Sequence, residues 1–139
     1  MSELVKDVMT ADPITVAAGD QVVEAAKRMR DAAVGSMIVI DGDEIRGIVT
    51  DRDIAVRLVA EGRDPAQTTV QEIVSPDPVT VEPDTAIEDA IGVMSERAIR
   101  RLPVVEQGRP VGIVSLGDLA IDRDPGSVLG EISAASPDR

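Results

Sequence analysis

The chain contains two copies of one 51-residue segment, and this duplication constrains its fold more than any other feature of the sequence. Residues 5–55 align with residues 70–120 without a gap, and fourteen of the 51 aligned pairs are identical. Only about three or four identities are expected by chance from average residue usage. A repeat of this length predicts two copies of a small domain rather than a solenoid.

Each copy is predicted to contain helix, strand, helix, strand, strand and helix, in that order. Val22, Ala25 and Met29 recur at helical spacing, whereas the flanking short apolar runs are typical of buried strands. Asp20 is predicted to cap the helix of the first copy, and Thr85 with Glu88 is predicted to form a capping box in the second. The predicted strands lie at residues 14–17, 37–40, 45–49, 79–82, 102–105 and 111–114.

The expected fold class is mixed α/β (α+β), divided into two similar domains. A unit of this size buries little apolar surface by itself, so we expect the two sheets to pack together about a pseudo-twofold axis. The predicted limits are 1–62 for the first domain, 63–69 for a linker, 70–122 for the second domain and 123–139 for a tail with a short helix at 127–135.

Composition excludes several classes of function. A net charge of −12 and the absence of Phe, Tyr and Trp argue against binding to nucleic acid or to an anionic membrane. With neither Cys nor His, the chain lacks disulfides, the usual metal ligands and the usual catalytic triads, so we expect no metal site and no enzymatic activity. It also lacks a long apolar run and a signal peptide, which predicts a cytoplasmic protein.

The motif that ends each copy carries the clearest chemical pattern. GIVTDRD at residues 47–53 recurs as GIVSLGD at residues 112–118, and in both a hydroxyl is followed three residues later by an Asp. One interpretation is a capping box, although Asp is shorter than the Glu or Gln of that box. The other is a nucleotide site, in which the hydroxyl and free N–H groups hold a phosphate while the Asp binds both ribose hydroxyls.

Taken together, these features resemble a tandem pair of CBS (cystathionine β-synthase) domains, also called a Bateman module. The resemblance covers residues 4–121 and rests on the two closing motifs and on the segments VKDVMT, DPITV and RRLPVV at residues 5–10, 12–16 and 100–105. The closing sequence TDRDI and the linker that follows it are similar to those of a stand-alone CBS domain-containing protein.

The resemblance implies a set of ligand-binding residues. The family's hydroxyl contacts phosphate and its Asp holds the ribose, main-chain groups of the first strand frame the base, and basic residues reach phosphates. In this chain the hydroxyl and the Asp are Thr50 and Asp53 in the first repeat and Ser115 and Asp118 in the second. The first-strand residues are Ile14, Thr15, Val79 and Thr80, and the basic residues are Arg100, Arg101 and Arg52. The first copy has Gly35 and Ser36 where the second has the arginine pair, which predicts two sites of unequal affinity. The alternative for the four first-strand residues is that they are ordinary strand residues, and the alternative for the arginine pair is that it is a solvated surface pair.

The function that the resemblance implies is a non-catalytic regulatory module. It would bind AMP, ADP, ATP or a derivative such as S-adenosylmethionine or NAD in clefts between the repeats, and it would require no cofactor. It would form a homodimer and signal by conformational change to an effector protein that the sequence does not identify. The alternative is a ligand-free dimeric scaffold with degenerate sites. An enzyme acting on a nucleotide would have to rely on carboxylates, Arg and Lys alone.

Overall fold

The protein folds into two units, each with its own sheet and core, and the computed structural model describes residues 3–74 and 78–123. Residues 14–74 and Pro78 form one unit, here called the middle unit. Residues 3–13 and 79–123 form the other, here called the split unit because its two segments are far apart in sequence. The predicted helix at 127–135 lies outside the described residues, and the predicted domain limits stay a prediction.

The described helices and strands follow the predicted order. The segment Val5–Asp7 is a 3₁₀ turn, here called the N-terminal turn, and Val70–Glu72 is a second one, here called the linker turn. The other elements are β1 Thr10–Ala11, β2 Thr15–Ala17, α1 Val22–Ala32, β3 Ser36–Asp41, β4 Glu44–Thr50, α2 Asp51–Asp53, a π-helical continuation Ile54–Val59, α3 Ile87–Arg97, β5 Arg101–Glu106, β6 Arg109–Ser115 and α4 Leu116–Arg123.

The two sheets share one arrangement of strands. In the middle unit the order is β2-β3-β4, with β2 parallel and β4 antiparallel to the central β3. In the split unit β5 and β6 are antiparallel, β1 adds to β6, and Val81 makes a parallel bridge to β5 at Val104. The predicted mixed α/β fold with two sheets is therefore confirmed.

The predicted strand at 79–82 is wrong in extent, because only Val81 pairs. In the middle unit the N–H of Ile38 donates to the carbonyl of Ile14 at 3.2 Å, which ties down the start of that strand. The second repeat has Pro103 at the position of Ile38, and proline has no N–H to donate. Val79, the counterpart of Ile14, therefore loses the bond that would extend its strand.

Both predicted caps of the central helices are also wrong. The helix α1 begins after Gln21, while Asp20 accepts a hydrogen bond from the N–H of Ala17 at 3.2 Å. The helix α3 begins after Ala86, while the Thr85 hydroxyl accepts from the N–H of Glu82 at 2.9 Å. In each repeat the polar side chain bonds back to the residue three positions before it and closes the turn, which is the competing use of such residues.

A short turn from outside its own repeat completes each unit. The N-terminal turn lies in the split unit, where the N–H of Val5 donates to the Thr85 carbonyl at 2.9 Å and the N–H of Lys6 donates to the Pro83 carbonyl at 3.0 Å. The linker turn lies in the middle unit, where the N–H of Val70 donates to the Asp20 carbonyl at 2.8 Å. The two turns are equivalent in the duplication, and each packs beside the strand-to-helix turn of the other repeat.

Each unit encloses a separate apolar core. In the middle unit the predicted helical positions Val22, Ala25 and Met29 are buried against the sheet residues Val39 and Val49. In the split unit the corresponding cluster contains Ile87, Ala90, Met94, Leu102 and Val104, together with Val5 from the N-terminal turn. Val5 is completely buried, so the N-terminal turn is part of this core.

Gly112 allows β1 to approach β6 closely. A Cβ atom at this position would lie 2.6 Å from Sδ of Met9 and 3.0 Å from the carbonyl oxygen of Thr10. We expect Gly112→Ala to lower the free energy of unfolding by about 1–3 kcal/mol, because the β1 backbone must move. The measurement is urea unfolding followed by far-UV circular dichroism.

Gly92 provides the matched control, because it lies within α3 and a Cβ atom there would meet nothing within 4 Å. Gly92→Ala is expected to stabilise the protein by about 0.5–1 kcal/mol through its higher helix propensity. Equal effects of the two substitutions would contradict the assignment of a close contact at Gly112.

Glu72 links the stability of the linker turn to pH. Hydrogen bonds from the N–H and hydroxyl of Thr69, at 2.6 and 3.0 Å, and an ion pair with Arg63 hold the pKa of Glu72 below its ordinary value. A carboxylate with a lowered pKa stabilises the fold above its unfolded value, near 4.5, and loses this contribution as the pH falls through the lowered pKa.

We therefore expect Glu72→Gln to lower the urea midpoint at about pH 7 and to have a smaller effect at about pH 3.5. Glu61→Gln, at an exposed position, is the control and is expected to change neither midpoint. A Glu72→Gln effect that is the same at both pH values would show that the carboxylate charge is not the cause.

Candidate functional site

The closing motif of the first repeat forms a complete capping box. Thr50 ends β4, and its N–H donates to Oδ2 of Asp53 at 2.9 Å, while the N–H of Asp53 donates to Oγ1 of Thr50 at 3.0 Å. Both side chains are half-buried. Although Asp is shorter than the Glu or Gln of the usual box, its carboxylate reaches the backbone at an ordinary hydrogen-bond distance.

The closing motif of the second repeat has the same geometry. The N–H of Ser115 donates to Oδ2 of Asp118 at 2.9 Å, and the N–H of Asp118 donates to Oγ of Ser115 at 3.1 Å. In both repeats the box leaves Oδ1 of the aspartate and the hydroxyl hydrogen outside these two bonds. These groups are suited to accept from a ribose hydroxyl and to donate to a phosphate oxygen.

The two motifs differ in the backbone N–H groups that they leave available. In the first repeat the N–H of Asp51 donates to the Gly35 carbonyl at 2.9 Å, and the N–H of Arg52 donates to Oδ1 of Asp51 at 2.8 Å. In the second repeat Leu116 makes the corresponding bond to Arg100, but Gly117 takes the place of Arg52, and no described residue accepts its N–H. The second motif therefore retains one donor for an anion, whereas the first uses its donor internally.

The structure brings the closing motif and the predicted base-framing strand of one repeat to the same end of one sheet. In the middle unit Thr50 pairs with Ser36 and Thr15 pairs with Ile38, so one strand separates the two threonines. Strands lie about 4.8 Å apart, which places Thr15 and Thr50 on the order of 10 Å from each other. Ile14 precedes β2 and is 40% exposed.

The split unit repeats this arrangement. Ser115 pairs with Arg101, and Val81, which follows Thr80, bridges to Val104 on the other side of β5. Thr80 is exposed, whereas Val79 is half-buried and packs against the core. Thr15, the counterpart of Thr80 in the middle unit, differs in that its carbonyl accepts a hydrogen bond from Nη1 of Arg28 at 2.6 Å.

The predicted arginines lie beside the motifs. The carbonyl of Arg100 accepts from the N–H of Leu116 at 2.8 Å, so the pair Arg100 and Arg101 adjoins the second motif. Both side chains are exposed, and neither pairs with an acidic side chain in the described part of the chain. Arg52 lies within the first motif and is also exposed. These three guanidinium groups are therefore accessible to an anion.

The split unit contains a cleft of about 320 Å³ that no sequence pattern predicted. Its lining residues are Asp7, Val8, Asp118, Ile121 and Asp122. Asp118 was the predicted ribose ligand, and Asp122 could have been found because residues four apart share a helix face. Asp7 and Val8 carried no such signal, since they arrive from the N-terminal turn.

Comparison with known proteins assigns the family. The sequence profile of the CBS domain matches residues 5–60 and 70–121. This chain belongs to the CBS domain family. The predicted tandem CBS pair is thereby confirmed, and CBS pairs are generally regulatory, non-catalytic modules that bind adenosine-derived ligands.

Relatives of similar length are also described as proteins with CBS domains. The CBS domain-containing protein YhcV of Bacillus subtilis is 44% identical over 133 residues, which cover 93% of this chain and 94% of YhcV. The structure of a signal-transduction protein with CBS domains from Burkholderia ambifaria is 34% identical, has a TM-score of 0.79 and covers 89% of this chain and 96% of that one.

A third relative has a bound ligand. It is a CBS domain pair crystallised in complex with 5′-methylthioadenosine and S-adenosylmethionine, 30% identical, with a TM-score of 0.75 and coverage of 84% of this chain and 96% of that one. In the present structure, no acidic cluster in residues 3–74 and 78–123 has the geometry of a metal site. Within the same ranges no helix is long and apolar enough to cross a membrane.

The capping function of the motif hydroxyls is directly testable. Thr50→Ala and Ser115→Ala each remove the acceptor of one box, and each is expected to lower the free energy of unfolding by about 0.5–2 kcal/mol. Thr50→Ser retains the oxygen and is expected to have a much smaller effect. Urea unfolding by circular dichroism measures both changes, and equal losses for Ala and Ser at position 50 would contradict the cap.

Proposed function

We propose that this protein is a non-catalytic regulatory module that binds an adenine nucleotide or another adenosine derivative at its two closing motifs. The observation that carries the proposal is the repeated site geometry. In each repeat a half-buried Asp, whose Oδ1 lies outside the capping box, is at the same sheet end as the first-strand residues, Ile14 and Thr15 or Val79 and Thr80. This places a ribose acceptor about one strand away from backbone groups that can frame a base.

In this proposal the motif aspartates, Asp53 and Asp118, accept hydrogen bonds from ribose hydroxyls, and Thr50 and Ser115 donate to phosphate. Ile14, Thr15, Val79 and Thr80 frame the base through their main chain. Arg52, Arg100 and Arg101 are accessible cations that suit phosphate oxygens, because a guanidinium donates two parallel hydrogen bonds. AMP, ADP, ATP, NAD and S-adenosylmethionine all contain the adenosine group that these residues would recognise.

The output of such a module passes through another protein. A ligand shifts a conformational equilibrium only when it binds two states with different affinity, and an effector protein then senses the favoured state. We propose that the module acts as a cytoplasmic homodimer. The exposed apolar side chains of Val56 and Val59, 46% and 67% accessible on the π-helical segment, support a protein contact on this face.

The second candidate is a ligand-free dimeric scaffold. The observation that favours it is that both capping boxes are complete without a ligand, with every bond between 2.9 and 3.1 Å. A residue retained only for its cap would give the same motif. The two candidates differ in whether an adenosine compound stabilises the fold.

A dye-based thermal melt distinguishes the two candidates. The purified protein is melted with AMP, ADP, ATP, NAD, S-adenosylmethionine and, as a control for base recognition, GTP. Ligand at about 100 times its dissociation constant stabilises the native state by roughly 2.7 kcal/mol, which raises the melting temperature. An extrinsic dye is required because the chain has no Trp or Tyr.

Asp53→Ala and Asp118→Ala assign the stabilisation to a repeat, because each variant removes one ribose acceptor. We expect a shift with at least one adenosine compound, no shift with GTP, and loss of the shift in one or both variants. The absence of a shift with every adenosine compound would favour the scaffold.

A further inference from the structure

The first strands of the two repeats differ in one side-chain contact. Nη1 of Arg28, on α1, donates to the Thr15 carbonyl at 2.6 Å. In the second repeat the counterpart of Thr15 is Thr80, whose N–H and carbonyl bond with no described residue. The counterpart of Arg28 is Val93 on α3, which is half-buried against the core of the split unit. Valine has no side-chain donor, so the second repeat cannot make the arginine contact.

Both carbonyls point to the outer edge of a strand. In the middle unit β2 is an edge strand, and β3 donates to the carbonyl of Ile14, the residue before Thr15, at 3.2 Å. In the split unit Val81, the residue after Thr80, bonds to β5 through both its N–H and its carbonyl, at 3.1 and 2.8 Å. Successive residues of a strand direct their backbone groups to opposite edges. Thr15 and Thr80 therefore direct theirs away from the sheet.

An outer edge of this kind can pair with a base. It presents one N–H and one carbonyl of the same residue, and the Watson–Crick edge of adenine carries a donor, N6, next to an acceptor, N1. Thr80 offers both groups. At Thr15 the guanidinium of Arg28 lies on this edge, because a donor 2.6 Å from an outward-pointing oxygen lies in front of that oxygen. A base that pairs with Thr15 must therefore displace the guanidinium.

The displacement of Arg28 lowers the affinity of the first repeat. A hydrogen bond from a charged donor is stronger than one between neutral groups, so the base exchanges a stronger bond for a weaker one. The Arg28 side chain is exposed, and water recovers part of the loss when the guanidinium is released. The remaining penalty is on the order of tenfold in affinity. The second repeat has no such contact to break.

The closing motifs favour the same repeat. The second motif retains the N–H of Gly117 and adjoins the exposed side chains of Arg100 and Arg101, whereas the first motif has Arg52 as its exposed cation. The second repeat is therefore open both at the strand edge that would take the base and at the motif that would take the phosphate.

We infer that Arg28 is an autoinhibitory side chain that closes the base end of the first repeat. The second repeat is then filled first, and the first repeat is filled only when the guanidinium leaves the Thr15 carbonyl. This inference rests on the proposed function, because it requires that the strand edges at Thr15 and Thr80 bind a base.

The test is a gain of AMP binding, measured by isothermal titration calorimetry on the full chain. In Asp118→Ala protein only the first motif keeps its ribose acceptor, and AMP is expected to bind weakly. Adding Arg28→Val introduces the residue of the second repeat and is expected to tighten AMP binding by at least about tenfold. Arg28→Ala is expected to give the same gain, and alanine is the better helix former should the valine variant fold poorly.

Lys27→Val is the matched control. Lys27 is the neighbouring exposed cation of α1, and its Nζ lies 3.6 Å from Glu24, so it does not take part in the Thr15 contact. The substitution removes the same charge from the same helix and introduces the same residue as Arg28→Val. In Asp118→Ala protein we expect it to leave AMP binding unchanged.

The second repeat provides the reciprocal measurement. In Asp53→Ala protein, Val93→Arg places a guanidinium where the first repeat has one and is expected to weaken AMP binding by about tenfold. Far-UV circular dichroism verifies that this variant is folded.

Two results would overturn the inference and leave the proposed function intact. One is stabilisation of the wild type by an adenosine compound together with no gain of AMP binding in either Arg28 variant. The other is an equal gain in Lys27→Val. If no adenosine compound stabilises the wild type or the Arg28→Val protein, the proposed function and the inference are both wrong.

Discussion

The fold depends on backbone hydrogen bonds between each unit and a short turn from outside its own repeat. The N-terminal turn donates to the carbonyls of Pro83 and Thr85, and the linker turn donates to those of Ala18 and Asp20. Buried backbone groups must find partners, and the strand-to-helix turn of each repeat leaves carbonyls that its own strands do not use. Duplication of the sequence supplies two such turns, so each repeat provides the segment that completes the other.

The position of the N-terminal turn also determines which residues form the candidate site of the split unit. The cleft beside Asp118 has one wall from α4 and another from Asp7 and Val8 of the N-terminal turn. A residue that forms part of the first repeat in sequence therefore contributes to the electrostatic surroundings of the second motif. Differences between the two sites thus arise from the turns as well as from the motifs.

Much of the fold was predictable because its signals are local. Short apolar runs located β3, β4, β5 and β6, and the helical spacing of Val22, Ala25 and Met29 located α1. The predictions failed where a residue had two possible bonding partners. Asp20 and Thr85 accept hydrogen bonds from the residue three positions before them instead of capping a helix, and Pro103 removes the donor that would extend the strand at Val79.

By itself the sequence determined the duplication, the order of the elements and the position of both closing motifs, because spacing and periodicity are properties of neighbouring residues. The tertiary structure alone decided which turn completes which unit and which charges face each aspartate. These outcomes depend on contacts such as Val5 with Thr85 and Asp7 with the cleft of Asp118, which join residues far apart in the chain. Such contacts leave no local pattern, since burial and hydrogen bonding select them only once the chain has folded.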